Sequence, residues 1–210
     1  MSTSSDTHRE DILRAAIAEF GRVGYAAAST NEIIKQAKVS KGLLFHHFTN
    51  KEKLYTACHM HVMEQFGRGF SGHIDLSVTD FFERLLYSLK VKMELGYKYP
   101  EFLAFMNRAW YFDADNIPLK KEEIEALVAD VVSEQSTDLA DLWKGIDTTK
   151  FKDKFELSKI LDYTRLIMDA SWKRFSHKHR NDTKAMLKDV DSYVAEVEEM
   201  IELLRDGAYK

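Results

Sequence analysis

Only one cysteine and two prolines occur in the 210 residues. Cys58, being alone, excludes an intrachain disulfide. The prolines are Pro100 and Pro118, and no series of short β-branched runs set off by turns is present. Helix from end to end is therefore expected. No apolar run approaches the length needed to cross a bilayer, and residues 1–6 are polar, without the apolar core of a signal peptide. The expectation is a cytoplasmic protein with no membrane partner. Positive charge is also scarce: the formal net charge is −4. Residues 1–60 hold eight Lys/Arg against six acids, a net of +2 that leaves −6 for the remainder. A strongly basic face is absent from these totals, so any role with nucleic acid must rest on the placement of charge. Nucleophile elbows, phosphate-cradling glycine loops and dinucleotide fingerprints are missing too. The glycines at 67, 69 and 72 follow no strand and precede no lysine. No enzymatic activity and no cofactor are expected.

What is present is a 45% apolar, 30% charged chain, enough for a sizeable core under a polar surface. Thr7 and Glu10 have capping-box spacing, and Ile12, Leu13, Ala16, Ile17 and Phe20 follow at helical intervals up to Gly24. Ser29 with Glu32 opens a second, very short helix with Ile33, Ile34 and Ala37 on its buried side. Val39 and the N-cap Ser40 then lead into a third helix carrying Leu44 and Phe48 four residues apart. Thr49 with Glu52 starts a longer fourth helix through Leu54, Tyr55, Cys58, Val62 and Phe66. Two short helices joined by the turn Lys38-Val39-Ser40 have the form of a helix-turn-helix.

Beyond the glycines the apolar spacing changes character. Phe81, Phe82, Leu85, Leu86, Leu89 and Met93 form one stripe, and Pro100 suits the first turn of the next helix. A further helix is expected over 118–144. Residues 157–175 are apolar on nearly every side, predicting burial on most faces. A last helix over 183–204 carries Met186, Val190, Tyr193, Val197, Met200 and Leu204, widened by Leu187, Val194 and Ile201. The fold class is thus all-α with about nine helices. Residues 1–52 hold the helix-turn-helix, and residues 53–210 the remaining helices.

Phe20-Gly-Arg-Val-Gly-Tyr25, Ser29, Ile33-Ile34, Ala37, Val39-Ser-Lys-Gly-Leu-Leu-Phe-His-His-Phe48 and Asn50-Lys-Glu-Lys-Leu54 together closely resemble the DNA-binding domain of the TetR family of transcriptional regulators. The resemblance covers roughly residues 8–55. It implies that Ser29 contacts a phosphate, and that Ser40, Lys41, Gly42 and Leu43 lie where a recognition helix meets DNA. By the same likeness Phe45, His46 and His47 continue the exposed face, and Lys51 touches the backbone. Three positions depart from the family pattern: Leu43 stands where threonine is common, Phe45 replaces a frequent tyrosine, and Lys38 replaces the usual turn glycine. The helix starts at Ser29, Ser40 and Thr49 would each offer free amides to phosphate. A recognition helix this short needs a second copy about one DNA turn away.

The remaining chemistry-bearing residues have plainer readings beside functional ones. Tyr97, Phe102, Phe105, Met106, Trp110, Trp143, Tyr163, Met168, Asp169 and Trp172 are mostly core by spacing. The functional alternative is that they line a small-molecule pocket in which an acid such as Asp169 meets a polar or cationic group. Arg165 and Asp169, four apart, suit a plain ion pair. Cys58 and His61 share a helical face, yet no further ligand pair follows. A buried cysteine with surface histidines at 59 and 61 fits better, and no metal is expected. His177 and His179 fall in a basic stretch, 173–180, read as a solvated loop. The last two helices would pair with the same helices of a second subunit. The expected function is a ligand-responsive regulator, a repressor by family likeness, that binds palindromic operator DNA as a homodimer and is released by a small hydrophobic or amphipathic effector. The alternative is a helical small-molecule or metal-binding protein that has lost DNA binding.

Overall fold

The computed structural model describes residues 4–73, 75–113, 116–120, 123, 141–180 and 182–210. Nine α-helices are found among them: α1 (Ser4–Ala27), α2 (Thr30–Ala37), α3 (Lys41–Phe48), α4 (Lys51–Ser71), α5 (Phe81–Lys98), α6 (Pro100–Asn107), α7 (Leu157–Lys178), α8 (Thr183–Lys188) and α9 (Val190–Ala208). They fall into two compact units, residues 1–68 with 99–136 and residues 69–98 with 137–210. Residues 1–52 lie wholly in the first.

In the first unit the stripe Ile12, Leu13, Ala16, Ile17 and Phe20 of α1 is buried with Ile33, Leu44, Phe48, Leu54, Tyr55, Cys58, Phe102 and Phe105. Each large apolar side chain so buried contributes about 1.5–3 kcal/mol. Phe20 meets Tyr55 edge-on at 5.0 Å between ring centroids. A Cβ at Gly21 would stand 3.0 Å from the Phe105 amide nitrogen and 3.2 Å from Ala104 Cβ, so the absent side chain lets α6 close on α1. Gly24, expected to end α1, instead kinks it at φ 81, ψ 166, a conformation essentially confined to glycine. A Cβ there would also fall 2.6 Å from Asp113 Oδ2. Gly24→Ala is expected to cost about 1–3 kcal/mol, read as a lower urea midpoint at unchanged slope; an unshifted midpoint would show that the backbone relaxes freely.

Three helix starts differ from the sequence expectation. α1 begins at Ser4, so Thr7 lies inside the helix and the Thr7–Glu10 box does not start it. Ser29 precedes α2 with extended backbone, but its side chain makes no cap bond. Its amide instead donates to Glu19 Oε1 at 3.2 Å, a buried carboxylate that also accepts from Arg22 at 2.6 Å. Glu32, its expected box partner, accepts from the Gln36 side chain. Asn50, not Thr49, caps α4, its Oδ1 accepting from the Lys53 amide at 2.8 Å. Thr49 closes α3 at φ 58 and so cannot open the next helix. Ser40 acts as expected, its hydroxyl accepting from the Leu43 amide at 3.1 Å. Lys38 takes the left-handed turn conformation, φ 55, ψ 37, that a glycine would hold without strain.

In the second unit Asp80 caps α5, accepting from the amides of Phe82 at 3.0 Å and Glu83 at 3.1 Å, and takes Lys150 Nζ at 2.7 Å. Arg84 is fully buried. Its guanidinium donates to the carbonyls of Val78 (2.6 Å), Leu142 (2.8 Å), Lys144 (2.7 Å) and Leu76 (2.9 Å). Most of the helix expected over 118–144 lies outside the described residues. Pro118, Leu119 and Lys120 are not helical, and Asp141–Trp143 form a 3₁₀ turn. α7 forms where predicted but buries one stripe only: Ile160, Thr164, Ser171, Phe175 and Ser176. Tyr163 and Leu166 are 59% and 63% exposed, since no described residue covers that side of the helix. Arg165 stands 3.8 Å from Asp162, one turn before it. Residues 173–178, expected as loop, complete α7, and His179 pairs with Asp189 at 3.0 Å. The last expected helix is two, broken at Asp189, whose carboxylate also takes Lys178 at 2.7 Å. Hydrogen bonds from Lys178 and His179 hold the Asp189 carboxyl below its ordinary pKa. Met186, Leu187, Val190, Tyr193, Val197 and Ile201 are buried, as the spacing required. No helix among the described residues is long and apolar enough to cross a membrane.

Candidate nucleic-acid interface

Leu44 and Phe48 anchor α3 in the core. That orientation decides which residues remain outside. Lys41, Gly42 and His46 are exposed, while Leu43, Phe45 and His47 are half-buried. A Cβ at Gly42 would meet only Ser40 Oγ, at 3.9 Å. Backbone at this point is open to close approach by a ligand. Phe45 packs partly against the core, so its ring is only in part available to a partner. Ser29 is exposed, with its hydroxyl free of any cap bond.

Basic side chains collect around α3. The His46 and His47 rings meet at 5.6 Å. His47 Nε2 is buried without a hydrogen-bond partner. Burial, then His46, Arg9 and His8, lower the His47 pKa. The last two come from the start of α1, and the Arg9 guanidinium lies 5.7 Å from the Phe48 ring centroid. Neither was anticipated from the sequence. They stand far from α3 along the chain, and only packing brings them to it. Lys51 Nζ is 3.4 Å from the Ala26 carbonyl oxygen and 4.7 Å from the Tyr25 ring centroid. Its ammonium is thus partly engaged with the end of α1, and burial lowers its pKa.

The residues predicted to line a pocket divide between the two units. Phe102 and Phe105 are buried in the first core, with Met106 packed against it. Trp110, in the same unit, is partly exposed and stacks on His59. In the second unit Tyr97 is exposed and donates its hydroxyl to the Leu187 carbonyl at 2.7 Å. Trp143 packs on Phe81 at 5.0 Å. Trp172 packs on Tyr193 at 5.3 Å and on Phe175 at 5.7 Å. Tyr163 and Asp169 face solvent, and Met168 is half-buried. Cys58 is buried as expected, and burial pushes its thiol pKa up. His59, expected at the surface, is buried instead, because this side of α4 packs under Phe105 and Trp110. His61 is half-buried, 3.9 Å from Glu10. Among the described residues no three His, Cys, Asp or Glu side chains are grouped to hold a metal ion.

Comparison with known proteins places the same segment. The sequence profile of the family described as bacterial regulatory proteins, tetR family, matches residues 12–58. The Transposon Tn10 TetC protein of Escherichia coli is 40% identical over 50 residues, a stretch that makes up 24% of this chain and 25% of that protein. Residues 12–58 thus carry a tetR-type segment. Beyond that stretch the likeness is one of fold. A TetR family transcriptional regulator from Chloroflexus aurantiacus J-10-FL superposes with TM-score 0.65 at 17% identity, over 97% of this chain and 94% of that one. The fatty acid degradation regulator FadR from Bacillus halodurans does so with TM-score 0.67 at 18% identity, over 99% and 97%. The segment shared with the TetR family at the sequence level runs from Ile12 in α1 to Cys58 in α4. It therefore includes α2, the turn and the whole of α3, while His8 and Arg9 lie just outside it.

Proposed function

We propose that this chain is a cytoplasmic, ligand-responsive repressor that binds palindromic operator DNA as a homodimer and is released by a small hydrophobic or amphipathic effector. The observation carrying the DNA-binding part is α3. It is held in the core by Leu44 and Phe48 and capped at its N-terminus by Ser40, and it leaves Lys41, Gly42 and His46 exposed. In this reading Lys41, Gly42, Leu43, Phe45, His46 and His47 enter the major groove, and Ser29, Ser40 and Lys51 position the backbone. Arg9 and His8 add phosphate contacts. Residues 1–52 serve as the DNA-binding domain and residues 53–210 as the effector and dimer domain.

A second copy would cover the exposed apolar positions Tyr163 and Leu166 on α7 and Leu203, 76% exposed, on α9. Together with their neighbours they would form a four-helix contact. Effector binding then favours a state in which the two recognition helices are wrongly spaced for successive major grooves. By linkage, effector and operator weaken each other equally.

The test is fluorescence anisotropy on duplexes enriched from a random pool, across a salt series. Saturable, sequence-dependent binding that falls steeply with salt is expected. Lys41→Glu should weaken it about tenfold or more while leaving the circular dichroism unchanged. A pool that yields no enriched sequence would overturn the reading in favour of a helical binding protein without DNA function.

A further inference from the structure

His59, on α4, is a polar side chain only 1% exposed whose Nδ1 and Nε2 both lack a hydrogen-bond partner. Burying an imidazole this way is costly, and native structures almost always satisfy such atoms. Its surroundings are aromatic. The ring stacks on Trp110, with centroids 6.2 Å apart at an interplanar angle of 25°, and meets Phe105 at 6.0 Å. Trp110 is itself 40% exposed, so the ring stacked on the imidazole is in contact with solvent.

Trp110 sits in a five-residue π-helical turn, Arg108–Phe112. Such widened turns are rare and frequently occur at functional sites. The same turn begins with Arg108, which donates to the carbonyls of Gly21 and Arg22 near the end of α1, both at 3.0 Å, and to Asp113 Oδ2 at 2.8 Å. One residue of the turn thus covers an unsatisfied imidazole, and another holds the helix that leads into α2 and α3.

We propose that His59 and Trp110 form a contact site for a flat, uncharged aromatic molecule carrying a hydroxyl group, and that Arg108 transmits its occupancy to α1. The consequence for DNA rests on the regulator reading above. Three features define the ligand class. Burial lowers the His59 pKa to about 4, so the ring is neutral and presents one N–H donor and one bare nitrogen acceptor. A hydroxyl both donates and accepts and matches either nitrogen, whereas a carboxylate would lose its hydration opposite an uncharged group. The Phe105 and Trp110 rings suit a flat body that stacks between or beside them.

The experiment uses the full chain with Trp143→Phe and Trp172→Phe, which leaves Trp110 as the sole one of its three tryptophans. Phenol, benzyl alcohol, toluene and benzoate are titrated while Trp110 emission and the His59 imidazole NMR signals are followed. Phenol and benzyl alcohol should bind saturably and shift the His59 signals, with benzoate failing. His59→Leu should weaken phenol about tenfold and leave toluene unchanged, while His59→Gln, which keeps a donor and an acceptor, retains part of the phenol affinity. Phenol that binds the parent and His59→Leu alike, or not at all, overturns the site. Phenol should also weaken duplex binding in the parent, and Arg108→Gln should abolish that response; an undiminished duplex affinity with phenol bound overturns the role of Arg108. A protein that binds no duplex sinks the regulator reading, yet the Trp110 titration still decides the site.

Discussion

Between pH 7 and pH 4 the fold should lose about 3 kcal/mol of stability through His59 alone. Desolvation lowers its pKa from 6.5 to about 4 in the folded protein. As pH falls below 6.5 the unfolded chain takes up the proton first, so the unfolded state is favoured. The contribution is complete above about 6.5, declines through the window down to about 4, and changes no further once the folded state is protonated too. Carboxylates with lowered pKa values, among them Asp80 and Asp189, also lose stabilisation in acid. The informative quantity is therefore the difference between the parent and His59→Leu. Urea unfolding at pH 7, 5.5 and 4 should show the two curves diverging as pH falls. At pH 7 the leucine variant should already be more stable by about 1–2 kcal/mol, because it removes two unsatisfied buried nitrogens. Parallel curves would mean that water or a rearrangement solvates the imidazole. A side chain that lowers stability at neutral pH is what a binding position retains at the expense of the fold.

Arg84→Met should destabilise the second unit by about 3–5 kcal/mol. Methionine matches the apolar stem but abandons four carbonyls, those of Leu76, Val78, Leu142 and Lys144. Two of these precede α5 and two belong to the turn around 142–144, so one guanidinium ties segments 58–60 residues apart in sequence. Asp75 acts on the guanidinium through space, against the effect of its burial. Arg84→Lys keeps the charge yet offers a single ammonium in place of a planar fork, and should be nearly as damaging. Chemical denaturation of both variants measures the effect. A loss under about 1 kcal/mol would show that solvent reaches these carbonyls and that the guanidinium is not their principal partner.

Much of this protein was readable where the determining interactions are short-range. Leu44 and Phe48 lie on one face because they are four residues apart. Ser40 caps α3 because its own backbone offers the amide three positions on, and Gly24 breaks α1 because its conformation excludes a Cβ. Pro100 begins α6 because its missing amide is not needed there. The helix-turn-helix, the all-helical class and the buried stripe of α9 follow from such local rules. Local rules failed wherever a distant group competed. The amide of Ser29 goes to Glu19, ten residues earlier, in place of a box with Glu32. Thr49 was displaced as a cap because closing α3 took its backbone to positive φ. His59 carries the same spacing signal as a surface histidine, and only the packing of Phe105 and Trp110 against α4 buries it. Nothing local to Arg84 and Arg108 signals their roles, since their carbonyl partners lie 58 and 87 residues away in the chain. Sequence periodicity determines which face of a helix is apolar, whereas which polar group is left without water depends on the neighbours that close over it. Only the tertiary structure decides that.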